Sequence, residues 1–350
     1  MIFCSIILRF FLSFWILFLN FYAQIPVADT IAKIDSFQDY QKAWEKIKKI
    51  DQPLETSEYA FLLVTNRNFF PDSAILLSDD LPKNSTLHLV WCQYKNNNYY
   101  LTFFENFETA FSQFSTNQNI SIFIHGDGKT FVRSLENGKK LTQFYNVNWI
   151  VFDYPSRKLG KNPVNNYFLS RKNAIHSLPQ FQDLVLALDR YRQEKLKNVK
   201  ISVMAHSLGG YFMANYLTKY QGVIKNFSWE NLILMLPAVS KKRHERWLNL
   251  SIAQQNYVFF NPQDWVLKMG SWLSFTSFLG LDFGVKTAKN TSYIDISKVA
   301  TIYHTPFDKK YLLNRRPQLY HIFSQVFQSE QPELTKYQDE SLAPLFYLRP

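Results

Sequence analysis

The sequence predicts an α/β fold, on three observations. Ile201–His206 is an apolar run that ends at a serine set among small residues and passes straight into a helical pattern. Ile120–Ile124 does the same, stopping at His125-Gly126 before a second helical stretch, and Gln180–Lys195 (QFQDLVLALDRYRQEK) reads as an amphipathic helix leading back to the next strand. Strands that alternate with helices in this way build a parallel sheet with its faces covered. A chain of 350 residues, 47% of them hydrophobic, can supply the core of one large domain.

Taken in order, Met1–Ala23 has Arg9 followed by the apolar run FFLSFWILFLNFYA, of the length of a signal-peptide core and short for a membrane span. This reading expects export, with cleavage after Ala23 or Ala28 and retention as an N-terminal anchor left as alternatives. Residues 24–58 form an N-terminal helical extension, in which Phe37, Tyr40, Trp44 and Ile47 recur at helical spacing. The main domain then occupies 59–350. Tyr59–Phe69 is its early strand, and Thr86–Phe104 an antiparallel hairpin at the sheet edge with its turn at Asn96–Asn98. Further strands are expected at Asn148–Ser156, Asn231–Ser240, Asn256–Asn261 and Thr291–Ser297, with a last helix from about Pro317. The apolar segment Trp265–Phe283 links the two final strands, and a lid over the site is the alternative role for it.

The chemistry centres on Ser207. A serine hydroxyl attacks only when a base can take its proton, and it must stand clear of the backbone for base and substrate to reach it together. A sharp strand-to-helix turn provides that exposure but has room only for small neighbours, which Ala205 and Gly209 supply. The His125-Gly126 strand end is where two backbone amides could converge on an oxygen that gains charge during acyl transfer. The candidates for these donors are the amides of Asp127 and Leu208.

The succession HGDG (125–128), NWIVFDYPS (148–156) and AHSLGG (205–210), then a strand ending in an acid, then a late histidine, resembles the α/β-hydrolase superfamily over Tyr59–Phe327. One departure is Ala205, where that motif usually has glycine. YAFLLVTNRNF (Tyr59–Phe69) also resembles the T-N-R strand of a poorly characterised group of bacterial serine hydrolases. The resemblance implies a mostly parallel central sheet of about eight strands with helices on both faces, and the chain order serine, acid, histidine. It places the acid just past the seventh strand, which selects Asp264, whose alternative role is a helix N-cap; Asp153 comes too early in the order and is read as shaping the pocket wall or capping a turn. His304, in the loop after the last strand, is the expected imidazole, with His321 as the alternative; His321 falls in the apolar stripe of Leu319, Ile322, Phe323 and Val326 in the final helix and reads more simply as a packed residue. His206 and His125 are read as structural, the latter orienting the oxyanion loop.

The expected activity is that of a serine hydrolase cleaving carboxylic esters through an acyl-enzyme, with Ser207, His304 and Asp264 as the reacting set and a small-molecule or lipid-like acyl substrate. The alternative is a noncatalytic exported protein that uses the same fold for interaction. Cys4 and Cys92 have no metal-like spacing, so neither a metal nor another cofactor is expected. A formal charge of +11 suits an anionic membrane surface or an acidic substrate, while the basic clusters Lys46–Lys49, Lys241–Arg246 and Lys309–Arg316 are read first as solvated surface. No nucleic-acid-binding signature accompanies the basic clusters, and nucleic acid is not an expected partner.

Overall fold

The computed structural model describes residues 37–80, 86–223, 227–338 and 345–348. Met1–Ala23, the segment expected to be a signal peptide or anchor, lies outside them. Two compact units divide the chain at Ala43/Trp44. Of the first, the described part is most of helix α1 (Phe37–Trp44). The second carries the sheet and every candidate site residue.

That sheet has eleven strands among the described residues, in the order β1-β4-β3-β2-β6-β5-β7-β8-β9-β10-β11. They are β1 (Ile47–Lys49), β2 (Tyr59–Thr65), β3 (His88–Lys95), β4 (Asn98–Phe104), β5 (Ile120–Ile124), β6 (Asn148–Asp153), β7 (Ile201–His206), β8 (Trp229–Met235), β9 (Ala253–Phe260), β10 (Thr291–Asp295) and β11 (Leu345–Tyr347). The expectation of about eight is corrected upward, in part because both edges carry three-residue strands, β1 beside β4 and β11 beside β10. Ile47–Lys49, expected in the helical extension, thus belongs to the sheet.

Only the pairings of β3 with β2 and with β4 are antiparallel. The β3–β4 hairpin turns at Asn96 and Asn97, both at positive φ (50° and 60°), as a two-residue turn matched to strand twist requires. From β2 to β11 the remaining pairs are parallel, and their connections include α2 (Phe107–Phe111), α3 (Phe131–Phe144), α4 (Pro163–His176), α5 (Leu178–Lys195), α6 (Leu208–Tyr220), α7 (His244–Leu248), α8 (Trp265–Leu273), α9 (Ser297–Ala300), α10 (Lys310–Arg315) and α11 (Pro317–Phe327). β5, β6 and β7 are buried at every position, the burial expected of parallel strands covered on both faces.

The end of β8 differs from the sequence reading, whereas the segment after β9 agrees with it. β8 stops at Met235 rather than running to Ser240, because Leu236 takes φ 50° and Pro237, lacking an N–H, cannot continue a ladder. Trp265–Phe283 is helix α8 with a loop, the connection between β9 and β10. The strand ends at His125, Asp153, Ser207, Leu236 and Asn261 all lie at the carboxyl edge of the parallel sheet, the edge where sites form in open α/β folds.

Candidate functional site

Ser207 sits between β7 and α6 with φ 54° and ψ −118°, a conformation costly for any residue with a Cβ. The surroundings hold it there. Its N–H donates to Met235 O (3.0 Å), and its carbonyl accepts from Ala238 N (2.7 Å) and Gly210 N (2.9 Å), so the end of β8 clamps both sides of the turn. Small neighbours are needed for the reason anticipated. A Cβ on Gly209 would lie 2.5 Å from Ile124 O, and one on Gly126 would lie 2.7 Å from the Ser207 Cβ and 3.2 Å from its Oγ. The His125-Gly126 strand end is therefore in contact with the serine.

Asp264 follows β9 and is wholly buried. One carboxylate oxygen, Oδ1, accepts from Leu267 N (3.0 Å) and caps α8; the other, Oδ2, lies 2.6 Å from Nδ1 of His304. Capping and orienting an imidazole, set as alternatives by the sequence, coexist on one side chain. With Nδ1–H donating to the carboxylate, Nε2 is left as the basic nitrogen. His321 is exposed on α11, while its neighbours Leu319, Ile322 and Phe323 are buried, which corrects the reading of it as a packed residue. The structure thus joins His304 to Asp264. Among the described residues Ser207 Oγ has no hydrogen bond, so the serine–imidazole contact is not formed; such contacts are often long without substrate.

His206, next to the serine, is buried, and its Nε2–H donates to the carbonyl of His304 (2.9 Å), with the two rings 4.7 Å apart. Burial first, and then the neighbouring His304, pushes its pKa well below the usual histidine value, so the ring stays neutral. It fixes the backbone of the His304 loop.

The amides of Asp127 and Leu208 have no partner among the described residues. The loop carrying Asp127 is tied down at several points. Gly128 N donates to Ser156 O (3.2 Å) and Lys129 N to Ser156 Oγ (2.8 Å), while the His125 ring stacks on Tyr154 at 4.4 Å and its Nδ1–H donates to Gly126 O (2.8 Å). The Asp127 carboxyl is pushed up to about 6, by burial above all, with the Ser170 hydroxyl, the Gly128 amide, Arg157 and Lys129 opposing.

Sequence reasoning missed one cluster entirely. Arg67, from the T-N-R strand end, is fully buried and holds Asp153 through Nε (2.6 Å to Oδ2) and Nη2 (3.0 Å to Oδ1). The same guanidinium pairs with Asp79 and donates to Lys129 O (3.1 Å) and Tyr154 O (3.3 Å). Thr65 and Ser134 hydroxyls complete the carboxylate's bonds. Burial alone would raise the Asp153 carboxyl, but Arg67 and the His125 ring hold it well below the usual range. Asp153 therefore belongs to a buried ion cluster beneath the Asp127 loop rather than to a pocket wall. The signal was available in a charged residue, Arg67, closing an otherwise apolar strand.

Among the described residues no group of His, Cys, Asp and Glu is placed to hold a metal ion.

A parallel sheet with a strained serine on the turn after a central strand, and an acid–histidine pair at the same edge, defines an α/β hydrolase. The family model described as "Alpha/beta hydrolase of unknown function (DUF900)" matches residues 104–306, more than half of the chain, and the chain belongs to that family. No curated protein sequence matches it. Among solved structures it is similar to esterase B from Lactobacillus rhamnosis (11% identical, covering 83% of this chain and 92% of that one, TM-score 0.36). It is also similar to a structure from an analysis of two fungal esterases of Rhizomucor miehei (12% identical, 71% and 82% covered, TM-score 0.35).

Proposed function

We propose that the protein is a serine hydrolase that cleaves carboxylic esters through an acyl-enzyme, with Ser207 as nucleophile, His304 as general base and Asp264 as the acid that orients it. The observation that carries this reading is the 2.6 Å bond between Asp264 and His304 at the sheet edge where Ser207 is held at positive φ. Nε2 of His304 takes the Ser207 proton as Oγ attacks the ester carbonyl, and the amides of Asp127 and Leu208 receive the oxyanion. The imidazolium returns its proton to the departing alkoxide, and the alcohol leaves. Water, deprotonated by the same ring, then releases the acid and restores Ser207.

Esters are favoured over amides because an alkoxide needs less protonation to leave than an amine does. The carboxyl side of the substrate is a small-molecule or lipid-like acyl group. Met1–Ala23 supports a location outside the cytoplasm, secreted, periplasmic or held at the membrane. The test is hydrolysis of a p-nitrophenyl ester series from acetate to decanoate by the full chain and by Ser207→Ala. Turnover that is abolished in the variant supports the reading; a folded protein inert on every ester, with Ser207→Ala indistinguishable from it, favours a noncatalytic interaction protein.

A further inference from the structure

Phe275, just past the end of α8, is 93% exposed and takes φ 49°. Both properties oppose a phenylalanine there. The left-handed conformation suits glycine or asparagine, and a ring left in water gains nothing from burial. The fold does not account for its identity, so a contact outside the chain is the physical explanation to pursue. Val285, 99% exposed in the same β9–β10 connection, repeats the exposure though not the backbone conformation, and Trp265 and Val266 at the start of α8 are 47% and 42% exposed.

A basic turn lies between the two exposed tips. Lys241 N donates to Ser277 O (2.9 Å), and its side chain pairs with Asp282 and lies 3.9 Å from where a Cβ on Gly284 would be. Lys242, Arg243 and Arg246 beside it are exposed, and Lys268 of α8 sits 4.9 Å over the Trp265 ring. Next to this turn is a cavity of about 280 Å³, lined among others by Arg171, Ser240, Lys242 and Thr276. Arg171 stands 4.3 Å over the Tyr211 ring and donates to the Tyr167 hydroxyl (3.2 Å), which in turn lies 2.6 Å from Ser274 Oγ at the end of α8. A guanidinium has five N–H donors, enough to serve an oxyanion as well. Apolar tips, exposed cations and a cation-lined cavity thus adjoin one another, on loops that follow β8 and β9 at the same sheet edge as Ser207 and Asp264.

We propose that this edge docks on an anionic phospholipid surface. Phe275 and Val285 enter the acyl boundary, Lys242, Arg243 and Arg246 meet the headgroup charge, and the cavity between Arg171 and Lys242 takes a lipid phosphate. The combination of aromatic insertion and cationic attraction is what holds a protein at a charged lipid–water interface. Docking there would bring the proposed ester site against lipid-borne substrate, which deepens the hydrolase reading, but the binding step is independent of catalysis.

The test is co-sedimentation of the full chain with phosphatidylglycerol–phosphatidylcholine vesicles and with pure phosphatidylcholine vesicles, for the native sequence, Phe275→Asn, Lys242→Glu/Arg243→Glu and Ser207→Ala. The N-terminal apolar segment is common to all of them, so the differences report the docking edge. The proposal expects at least tenfold tighter binding to the anionic vesicles, a loss of fivefold or more in Phe275→Asn with no fall in thermal midpoint, a larger loss in the charge-reversal variant, and no change in Ser207→Ala. Four outcomes overturn it: equal binding to both vesicles; unchanged binding by Phe275→Asn; a lower midpoint in Phe275→Asn, which would make the ring structural; or saturable binding of inorganic phosphate with no sedimentation on anionic vesicles, which would make the cavity a site for the free ion. Absence of ester hydrolysis with vesicle binding as expected would remove the hydrolase reading and leave the docking intact.

Discussion

The carboxylate of Asp264 is divided between two tasks: Oδ2 bonds Nδ1 of His304 at 2.6 Å, while Oδ1 accepts the Leu267 amide that opens α8. The two tasks can be separated by substitution. Asn in place of Asp can keep an acceptor for the cap, but it offers His304 an uncharged amide that neither stabilises an imidazolium nor enforces the Nδ1–H tautomer. Asp264→Asn should lower kcat/KM for an ester by roughly 10³- to 10⁴-fold with little change in thermal midpoint. Asp264→Ala should show the same kinetic loss together with about 1 kcal/mol of lost stability from the missing cap.

Gly126→Ala isolates the serine's need for space. The new methyl would press on the Ser207 side chain at 2.7 Å from Cβ, displacing the hydroxyl or the loop that bears the Asp127 amide. A fall in ester turnover of about 10²-fold is expected, since displacements near 1 Å cost that much. Circular dichroism should show the sheet retained.

The serine turn is legible in the sequence from local signals, whereas the acid and the histidine are found from the positions that the superfamily resemblance implies. Small residues flank Ser207, Asp264 directly follows an apolar strand, and His304 stands in the loop after the last long strand. The parallel strands were legible from local signals too, as apolar runs bounded by turn residues. What escaped was either too short or too distant. β1 and β11 have three residues each, too few for a periodic pattern, and their pairing is visible only against β4 and β10. Arg67 and Asp153 are 86 residues apart, and only the fold brings them together. The positive φ of Phe275 likewise has no marker in the sequence, where a glycine or asparagine would have announced it.

The buried Arg67–Asp153 pair should be expensive to break from one side. Arg67→Met leaves an uncompensated buried carboxylate, and a loss of roughly 3–5 kcal/mol is expected by urea unfolding at pH 7. Adding Asp153→Leu should recover part of that loss, because it removes the stranded charge. A double variant no more stable than Arg67→Met would contradict this account of the cluster.

Asp127 should act on stability with the opposite sign. Its carboxyl titrates at about 6 in the fold against about 4 in an unfolded chain, so the folded state binds more protons between those values. Stability is then fully present below pH ~4, declines as pH rises through ~6, and stays lower above it. Asp127→Asn removes the buried charge and should raise unfolding free energy at pH 8 by on the order of 2–3 kcal/mol, with the gain disappearing near pH 4. Urea titrations at the two pH values check the sign.

Labelling with a fluorophosphonate probe tests the central claim most directly, since the probe captures only a serine that a neighbouring base activates. The account predicts one covalent adduct per chain, located on the peptide containing Ser207, absent from Ser207→Ala, slowed by at least 10²-fold in His304→Ala and unaffected in His321→Ala. Native, folded protein that takes up no probe, or that is labelled equally well without His304, would contradict it.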